Sequence, residues 1–432
     1  MMSMSAVMKY DRVRLARSAD WLAVAVAVSL PWSTSATGIL VVLWLAMLVP
    51  TLDLAVLRRE LTAPAGGLPV LLVALALLGM LWSNVPWSTA FRGLSPFAKL
   101  LIIPLLMVEF RRSDRGLWVL AGFLVSCTAL LALSTIIAMW PGLAWDDTKG
   151  HGVPVKDYIA QSGEFVICAF ALAYVVLDQC RAGRHFMAIA LLLLSALFLL
   201  DVFYIAASRT ALVTIPVLAV LFAVRHFSWK GVAAMGAAGL VLGVTVWASS
   251  PYLRERVMNL AYEIEAYQRD SKVTSAGERL YFWKKSLEII AGAPAIGHGT
   301  GTIKSTFERA VAGQSGIWDK ATANPHNQTF AIGIQLGLLG VAALFAMWLS
   351  HLLLFRGPGL VAWVGLIVVA QNVVSSLFNS HLFDFTQGWA YVFGVGVAGG
   401  MVLRGGAGQQ RAQATDQAAS GEISPDPAQS GV

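Results

Sequence analysis

The chain has 432 residues, of which 57% are hydrophobic and 13% charged, with a formal net charge of +7. That is too little polar sequence to coat a soluble globule and too much apolar sequence for one core, which excludes an ordinary water-soluble enzyme and makes lipid the solvent. No basic, aromatic-interleaved surface stands apart from the apolar runs, so the positive charge does not indicate nucleic acid as a partner.

A helix needs about 20 apolar residues to cross the hydrocarbon layer while satisfying its own backbone hydrogen bonds. By that measure the sequence predicts an all-α polytopic membrane protein with about twelve transmembrane helices. They lie near residues 19–34, 37–57, 67–83, 93–110, 116–139, 159–178, 186–206, 209–225, 231–249, 326–352, 359–378 and 388–403. Residues 1–18 form an N-terminal tail, and the apolar stretch after it lacks a small-residue cleavage site, as expected for a retained first span. Spans one to nine occupy 19–249, a large and mostly helical loop occupies 250–325, and spans ten to twelve occupy 326–404. Residues 405–432 shift to Gly, Ala, Gln, Ser and Pro, a composition expected to stay disordered. Pro and Gly residues within several spans suggest kinks.

Cytoplasmic loops retain Lys and Arg, and here every second break is basic. The N-terminal tail carries Lys9, Arg12, Arg14 and Arg17; later breaks carry Arg58 and Arg59, then Arg111, Arg112 and Arg115, then Arg181 and Arg184, then Arg225 and Lys230, then Arg356, and finally Arg404 and Arg411. Both termini are therefore expected on the cytoplasmic side and the 250–325 loop outside, with a basic rim that anionic membrane lipids favour. Cys127, Cys168 and Cys180 fall in or beside apolar spans, which indicates neither a disulfide framework nor a cysteine metal site.

The large loop is where chemistry is expected, because transporters place their working residues near the membrane midplane and keep loops short. Its first stretch, PYLRERVMNLAYEIEAYQRD, repeats Leu253, Val257, Leu260, Ile264 and Tyr267 at helical spacing and reads as a packed surface helix. In SAGERLYFWKKSLEII, Ser275 with Glu278 three residues on makes a capping-box pattern that places Arg279 in a first helical turn. The turn AIGHGTGT, residues 295–302, either presents backbone N–H groups to phosphate or makes a tight connection; without a preceding strand or a Walker Lys-Ser/Thr pair it is not an ATP site. In ATANPHNQTF, Asn324 fits an N-cap, Pro325 the first helical position, and His326 the outer end of the tenth span.

Arg209, in AASRTALV, sits between two apolar spans joined by a very short turn. A guanidinium held there costs on the order of 2–3 kcal/mol near a helix centre and less at the interface, so an anionic partner or snorkelling to head groups is expected. Arg92, Glu164, Asp201 and Asp384 are further ionisable residues placed near the outer half, and Asp201 or Asp384 either neutralises an arginine or orients His326. Asp146 and Asp147 in WDDTKGHG raise the question of a divalent ion, but no further ligand completes the set and Lys149 opposes cation binding.

Taken in order, SRT at 208–210, Arg279 in GERLYFW, the turn at Gly297 and Gly299, and PHN before a Gly-Leu-Leu-Gly helix resemble the shared domain of bacterial O-antigen ligases and O-antigen polymerases over about residues 200–345. The resemblance implies a GT-C type membrane glycosyltransferase that uses no nucleotide sugar, no metal and no cofactor. In its ligase branch, O-antigen passes from undecaprenyl pyrophosphate (the donor) to a sugar hydroxyl of lipid A-core (the acceptor). It implies that Arg209 and Arg279 bind the pyrophosphate and that His326 is catalytic, with Asp384 at a further acidic position; Arg92, Asp384, Asn327, Gly297 and Gly299 are the candidate supporting residues. A single dominant external loop favours ligase over polymerase. A lipid-linked glycan flippase explains twelve spans and a cationic cavity equally well, but not a large loop ending in Pro-His-Asn at a helix start.

Overall fold

A computed structural model describes residues 4–144, 146, 150, 152–270, 274–313 and 320–421. The described residues form an all-helical bundle. Its first half runs α1 (Met4–Ser29), α2 (Thr34–Leu48), α3 (Leu54–Thr62), α4 (Pro64–Gly79), α5 (Trp87–Ala98), α6 (Ile102–Arg112), α7 (Gly116–Met139) and α8 (Tyr158–Arg181). The second half runs α9 (His185–Tyr204), α10 (Arg209–His226), α11 (Trp229–Ser249), α12 (Pro251–Asp270), α13 (Ser275–Gly292), α14 (Ile303–Val311), α15 (Gln328–Leu354), α16 (Leu360–Ser375) and α17 (Phe385–Gly421).

Eight segments among the described residues are long and apolar enough to cross a membrane: Thr34–Thr51, Trp87–Arg112 (α5 and α6 joined), α7, α8, α9, α10, α11 and α15. A ninth arises if α3 and α4, bent by 82° at Ala63, count as one, and α16 is a shorter apolar helix. Large apolar side chains such as Leu192, Leu193, Val220, Val224, Leu240 and Val241 are exposed on the outside, while Trp44, Phe97, Phe110, Phe165, Phe198 and Trp363 fill the interior. That inversion suits a bundle whose solvent is lipid.

The basic breaks meet one another. Arg111 pairs with Glu60, Arg112 Nη1 donates to Thr51 O at 2.9 Å, and Arg115 reaches Asp20 at 3.1 Å. Arg225 Nη2 donates to Arg356 O at 2.9 Å, and Arg181 lies against His226 O. These carbonyl and carboxylate partners hold the arginines in place.

Three sequence expectations shift. The helix expected from residue 19 starts at Met4, so the N-terminal tail is helical over its described part. The second span ends at a short 3-10 turn, Val49–Thr51, because Pro50 removes a backbone donor, and Asp53 caps a separate α3 with its carboxylate on Ala55 N. The last helix runs on to Gly421 through residues expected to be a disordered tail, since Ala, Gln and Arg carry high intrinsic helix propensity without needing burial; residues 422–432 lie outside the described residues.

The large loop packs on the bundle as helices α12, α13 and α14, with Tyr281, Phe282, Ile289, Phe307 and Val311 closing a small apolar core against Ile334 of α15. α15 is broken at Gly337, whose φ of 61° and ψ of −160° are open to glycine but strained for other residues. The break frees the N–H groups of Leu338 and Leu339 to donate to Pro294 O (2.7 Å) and Ala295 O (3.2 Å), while His298 and Gly299 donate back to Ile334 O and Gln335 O at 2.9 Å. The glycine turn is therefore stitched into the break of a membrane helix. This stitching fixes the loop's height over the bundle.

Candidate functional site

His326 stands just before α15, not inside it. The N-cap is Asn327, whose Oδ1 accepts from Phe330 N at 3.2 Å, so the cap expected at Asn324 lies three residues further on. Asn324 instead shapes the turn before the helix. Its Oδ1 accepts from His326 N at 2.9 Å and from the Ser380 hydroxyl at 2.8 Å, bending the chain so that His326 adopts φ 54°. Among the described residues it is the only non-glycine with positive φ, a conformation that costs about 1–2 kcal/mol and is maintained only where the surroundings over-determine it.

The same contacts set the tautomer of the ring. A backbone N–H can only donate, so Asn324 Oδ1 is the atom facing His326 N, and Asn324 Nδ2 is left to donate to Asn379 Oδ1 at 2.9 Å. An atom that accepts from Asn324 must also accept from His326, so the 3.0 Å contact between His326 Nδ1 and Asn379 Oδ1 is an Nδ1–H donor. The lone pair of the neutral ring then lies on Nε2. Asn379 in turn donates its Nδ2 to Asp384 Oδ2 at 2.9 Å, making a chain from carboxylate through amide to imidazole. Burial is the main cause that lowers the His326 pKa below its ordinary value; the Asn379 bond opposes, the Arg279 charge reinforces and Glu278 opposes.

Arg209 is the first residue of α10, after Ser208, whose hydroxyl caps the helix on Ala211 N at 3.1 Å. Its anionic partner is Glu263 on α12: Nη2 donates to Oε1 at 2.6 Å and Nη1 to Oε2 at 3.2 Å. Glu263 Oε2 also accepts from Ala276 N at 2.9 Å, so one carboxylate ties the starts of α10 and α13 to α12. Burial works to raise the Glu263 pKa, but the bonds from Arg209 and Ala276 and the charges of Arg209 and Arg279 outweigh it and hold the group ionised below the usual range. Two of the five guanidinium N–H groups of Arg209 are used in this pair, and three remain for a further anion.

Arg279 lies in the second turn of α13. Thr274 is the cap, its Oγ1 accepting from Gly277 N at 3.1 Å, and this displaces the capping box expected from Ser275; Glu278 pairs with Lys320 instead. Burial and the charge of Arg209 lower the Arg279 pKa, with Tyr158 and Glu263 opposing, and the Arg279 charge acts in turn on His326 and His381. Arg279 thus sits centrally, within electrostatic reach of Arg209, Glu263, Tyr158 and His326. Glu263 is ion-paired with Arg209, and the charge of Arg279 lies within electrostatic reach of both.

The remaining candidates separate. Asp384 reaches His326 only through Asn379; burial pushes its carboxyl up to about 6, with Lys99 opposing and Asp157 reinforcing. Asp201 belongs elsewhere, accepting from Ser134 Oγ at 2.5 Å and Gln161 Nε2 at 3.1 Å, so it neither neutralises an arginine nor orients His326. Arg92 is exposed on α5 with Nη2 on Thr89 Oγ1 at 3.3 Å, outside the contacts that join the His326 and arginine groups. Asn327 caps α15 and donates to Leu377 O at 3.1 Å, which straps the helix start to the segment carrying Asn379. Gly297 (φ 68°) and Gly299 (φ 95°) are packing glycines: a Cβ at 297 would come within 2.5 Å of Gln335 C, and one at 299 within 2.6 Å of Ser83 Cα. With the N–H groups of Gly297, His298, Gly299 and Thr300 all donated to backbone carbonyls, the turn is a connection and not a phosphate cradle. Asp147 and Lys149 lie outside the described residues, and among the described residues no group of three or more His, Cys, Asp or Glu is arranged to hold a metal ion.

Glu263, Asn324 and Asn379 were not legible as site residues. Glu263 sits in a helix whose apolar repeat reads as packing, and an asparagine in a polar turn, as at 379, carries no spacing signal.

Residues 193–345 match a family model described as O-antigen ligase. The match takes in Arg209, Glu263, Arg279 and His326 and ends before Asn379 and Asp384. No curated protein matches the chain significantly.

Proposed function

We propose that this chain, which carries a domain of the O-antigen ligase/polymerase superfamily over residues 193–345, is an O-antigen ligase of the bacterial inner membrane with its active site on the periplasmic face. The donor is O-antigen polysaccharide on undecaprenyl pyrophosphate and the acceptor a sugar hydroxyl of lipid A-core. The observation that carries this reading is the convergence of Arg209 and Arg279 with a histidine whose Nδ1 is committed to Asn379, leaving Nε2 as a base.

A sugar joined to pyrophosphate through its anomeric carbon already has a good leaving group. The enzyme must therefore do only two things, hold the diphosphate and remove a proton from the acceptor. Arg209 and Arg279 supply planar, permanently charged forks for the phosphate oxygens and stabilise the charge that grows as the C–O bond breaks. Neutral His326 takes the acceptor's proton on Nε2 as the oxygen attacks from the side opposite the pyrophosphate, giving inversion without a covalent enzyme intermediate. The proton stays on the imidazolium, whose Nδ1–H remains bonded to Asn379, and undecaprenyl pyrophosphate departs.

The lipopolysaccharide profile of a deletion strain tests this. Lipid A-core without polymer, with polymer accumulating on its lipid carrier, is the expected result. A core bearing a single repeat unit would make the protein a polymerase instead, and an unchanged profile would remove it from this chemistry.

A further inference from the structure

We propose that a pocket behind the His326 network binds an uncharged sugar residue of a glycan substrate, a proposal that rests on the glycan-transfer reading above. The pocket has a volume of about 660 Å³ and is built by three stretches remote in sequence: the α1–α2 turn, the residues leading into α8, and residues 379–387. Its size falls within the usual range of about 300–1,000 Å³ for small-molecule sites.

The lining decides the class of ligand. Trp32 contributes an aromatic ring, Thr34 a hydroxyl, Asp157 and Asp384 carboxylates, and Asn379 and Gln387 amides. Val155, Ile159 and Phe385 add apolar surface to the lining, but an acyl or isoprenoid chain filling the pocket would also strip water from the Asp157 carboxylate, the Thr34 hydroxyl and the Gln387 amide and offer no hydrogen bonds in return, a cost of about 1–3 kcal/mol for each group left unpaired. A phosphate is also disfavoured. The one cation in the wall is Lys156, already bonded to Leu30 O and to Thr386 Oγ1 at 3.0 Å, and the wall also carries the carboxylates of Asp157 and Asp384. Carboxylates, amides and a hydroxyl around an indole ring suit the hydroxyls and C–H face of a neutral sugar. Asp157 uses only Oδ1 to cap α8, on Ile159 N and Ala160 N at 2.9 Å.

Position ties the pocket to the reaction. Asn379, the residue that bonds His326 Nδ1, and Asp384, which bonds Asn379, form part of its wall, while neither Arg209 nor Arg279 lines it. The pocket therefore adjoins the His326 network through Asn379 and does not include the arginines proposed to hold the pyrophosphate. The sugar belongs either to the incoming acceptor or to the donor glycan beyond its first residue.

The test uses the full-length protein purified in detergent, with two lipid-free probes from the producing strain: core oligosaccharide and O-antigen oligosaccharide. Thr34→Trp fills the pocket, and Gln387→Ala removes an amide that bonds no described residue. Both variants are expected to weaken binding of one probe about tenfold and to raise KM for the matching substrate similarly, with kcat within about twofold. Loss for the core probe assigns the pocket to the acceptor, and loss for the O-antigen probe to the donor. Wild-type binding of both probes by both variants, or no binding of either probe by the wild type, overturns the proposal. If the wild type transfers glycan and both variants keep wild-type KM values, the pocket fails and the proposed function stands. If binding depends on these residues but the wild type transfers nothing, the pocket stands and the proposed reaction fails.

Discussion

Replacing Asn379 by Ala should slow the enzyme without disabling it. In the native ring the Nδ1–H bond to Asn379 Oδ1, 3.0 Å long, keeps the lone pair on Nε2. A neutral hydrogen bond contributes about 1 kcal/mol net, so its loss lets the other tautomer compete and lowers kcat about fivefold, far short of the 10²- to 10⁴-fold expected for loss of a general base. Asn379→Asp keeps an acceptor there and adds a negative charge, which raises the His326 pKa. The sign follows from the working form: activity needs neutral imidazole and falls as pH drops through its pKa. The wild-type acid limb should therefore lie below the ordinary histidine value of about 6.5, because burial first and Arg279 next depress it, and Asn379→Asp should move that limb to higher pH. The assay is kcat against pH from 5 to 9 on purified protein, with thermal stability as a control for folding. An unchanged Asn379→Ala rate together with an unmoved Asn379→Asp limb would refute the assigned tautomer.

Other expectations concern the arginines and the backbone. Arg209→Lys and Arg279→Lys should each lose most transfer activity although charge is kept, since an ammonium cannot make two parallel bonds to a diphosphate; wild-type rates in both would reduce them to interfacial anchors. His326→Gly and His326→Ala should both be inactive, but the glycine variant should be more stable by about 1 kcal/mol, because only Ala retains the penalty of φ 54°; equal melting temperatures would argue against a strained turn. Gly297→Ala should lower thermal stability by more than about 2 kcal/mol and with it the amount of folded protein, as its Cβ meets the backbone of residue 335; a fully stable variant would contradict the stitched break in α15.

The membrane helices were legible in the sequence because each is a contiguous run whose hydropathy needs no tertiary partner. Arg209 could be singled out in the sequence as a costly charge between two apolar spans, and Arg279 and His326 as parts of motifs that resemble the O-antigen ligase domain, and the roles assigned to all three are proposals. What could not be read was which of two chemically equivalent residues acts. Asn324 and Asn327 are both good caps, and Pro325 fits a first helical position, so local rules favour the earlier one. The choice is made by Ser380 and Asn379, more than fifty residues away, which recruit Asn324 into the turn that strains His326. Thr274 displaces Ser275 as the α13 cap in the same way, and Glu263 was hidden because it is one of several acids on an amphipathic helix. The glycines of residues 297–299 signalled a turn, but their partner is the break at Gly337, and nothing in either segment alone specifies that pairing.

The proposed chemistry stands or falls on His326 removing the acceptor proton while the arginines hold the donor. The decisive comparison supplies purified wild type and His326→Ala with lipid-linked O-antigen and lipid A-core, following both donor binding and covalent product. The wild type should join glycan to lipid A-core, and His326→Ala should bind donor within about threefold of wild type yet form product at least about a hundredfold more slowly. A folded His326→Ala enzyme that transfers at more than about a tenth of the wild-type rate would contradict general-base catalysis by this histidine.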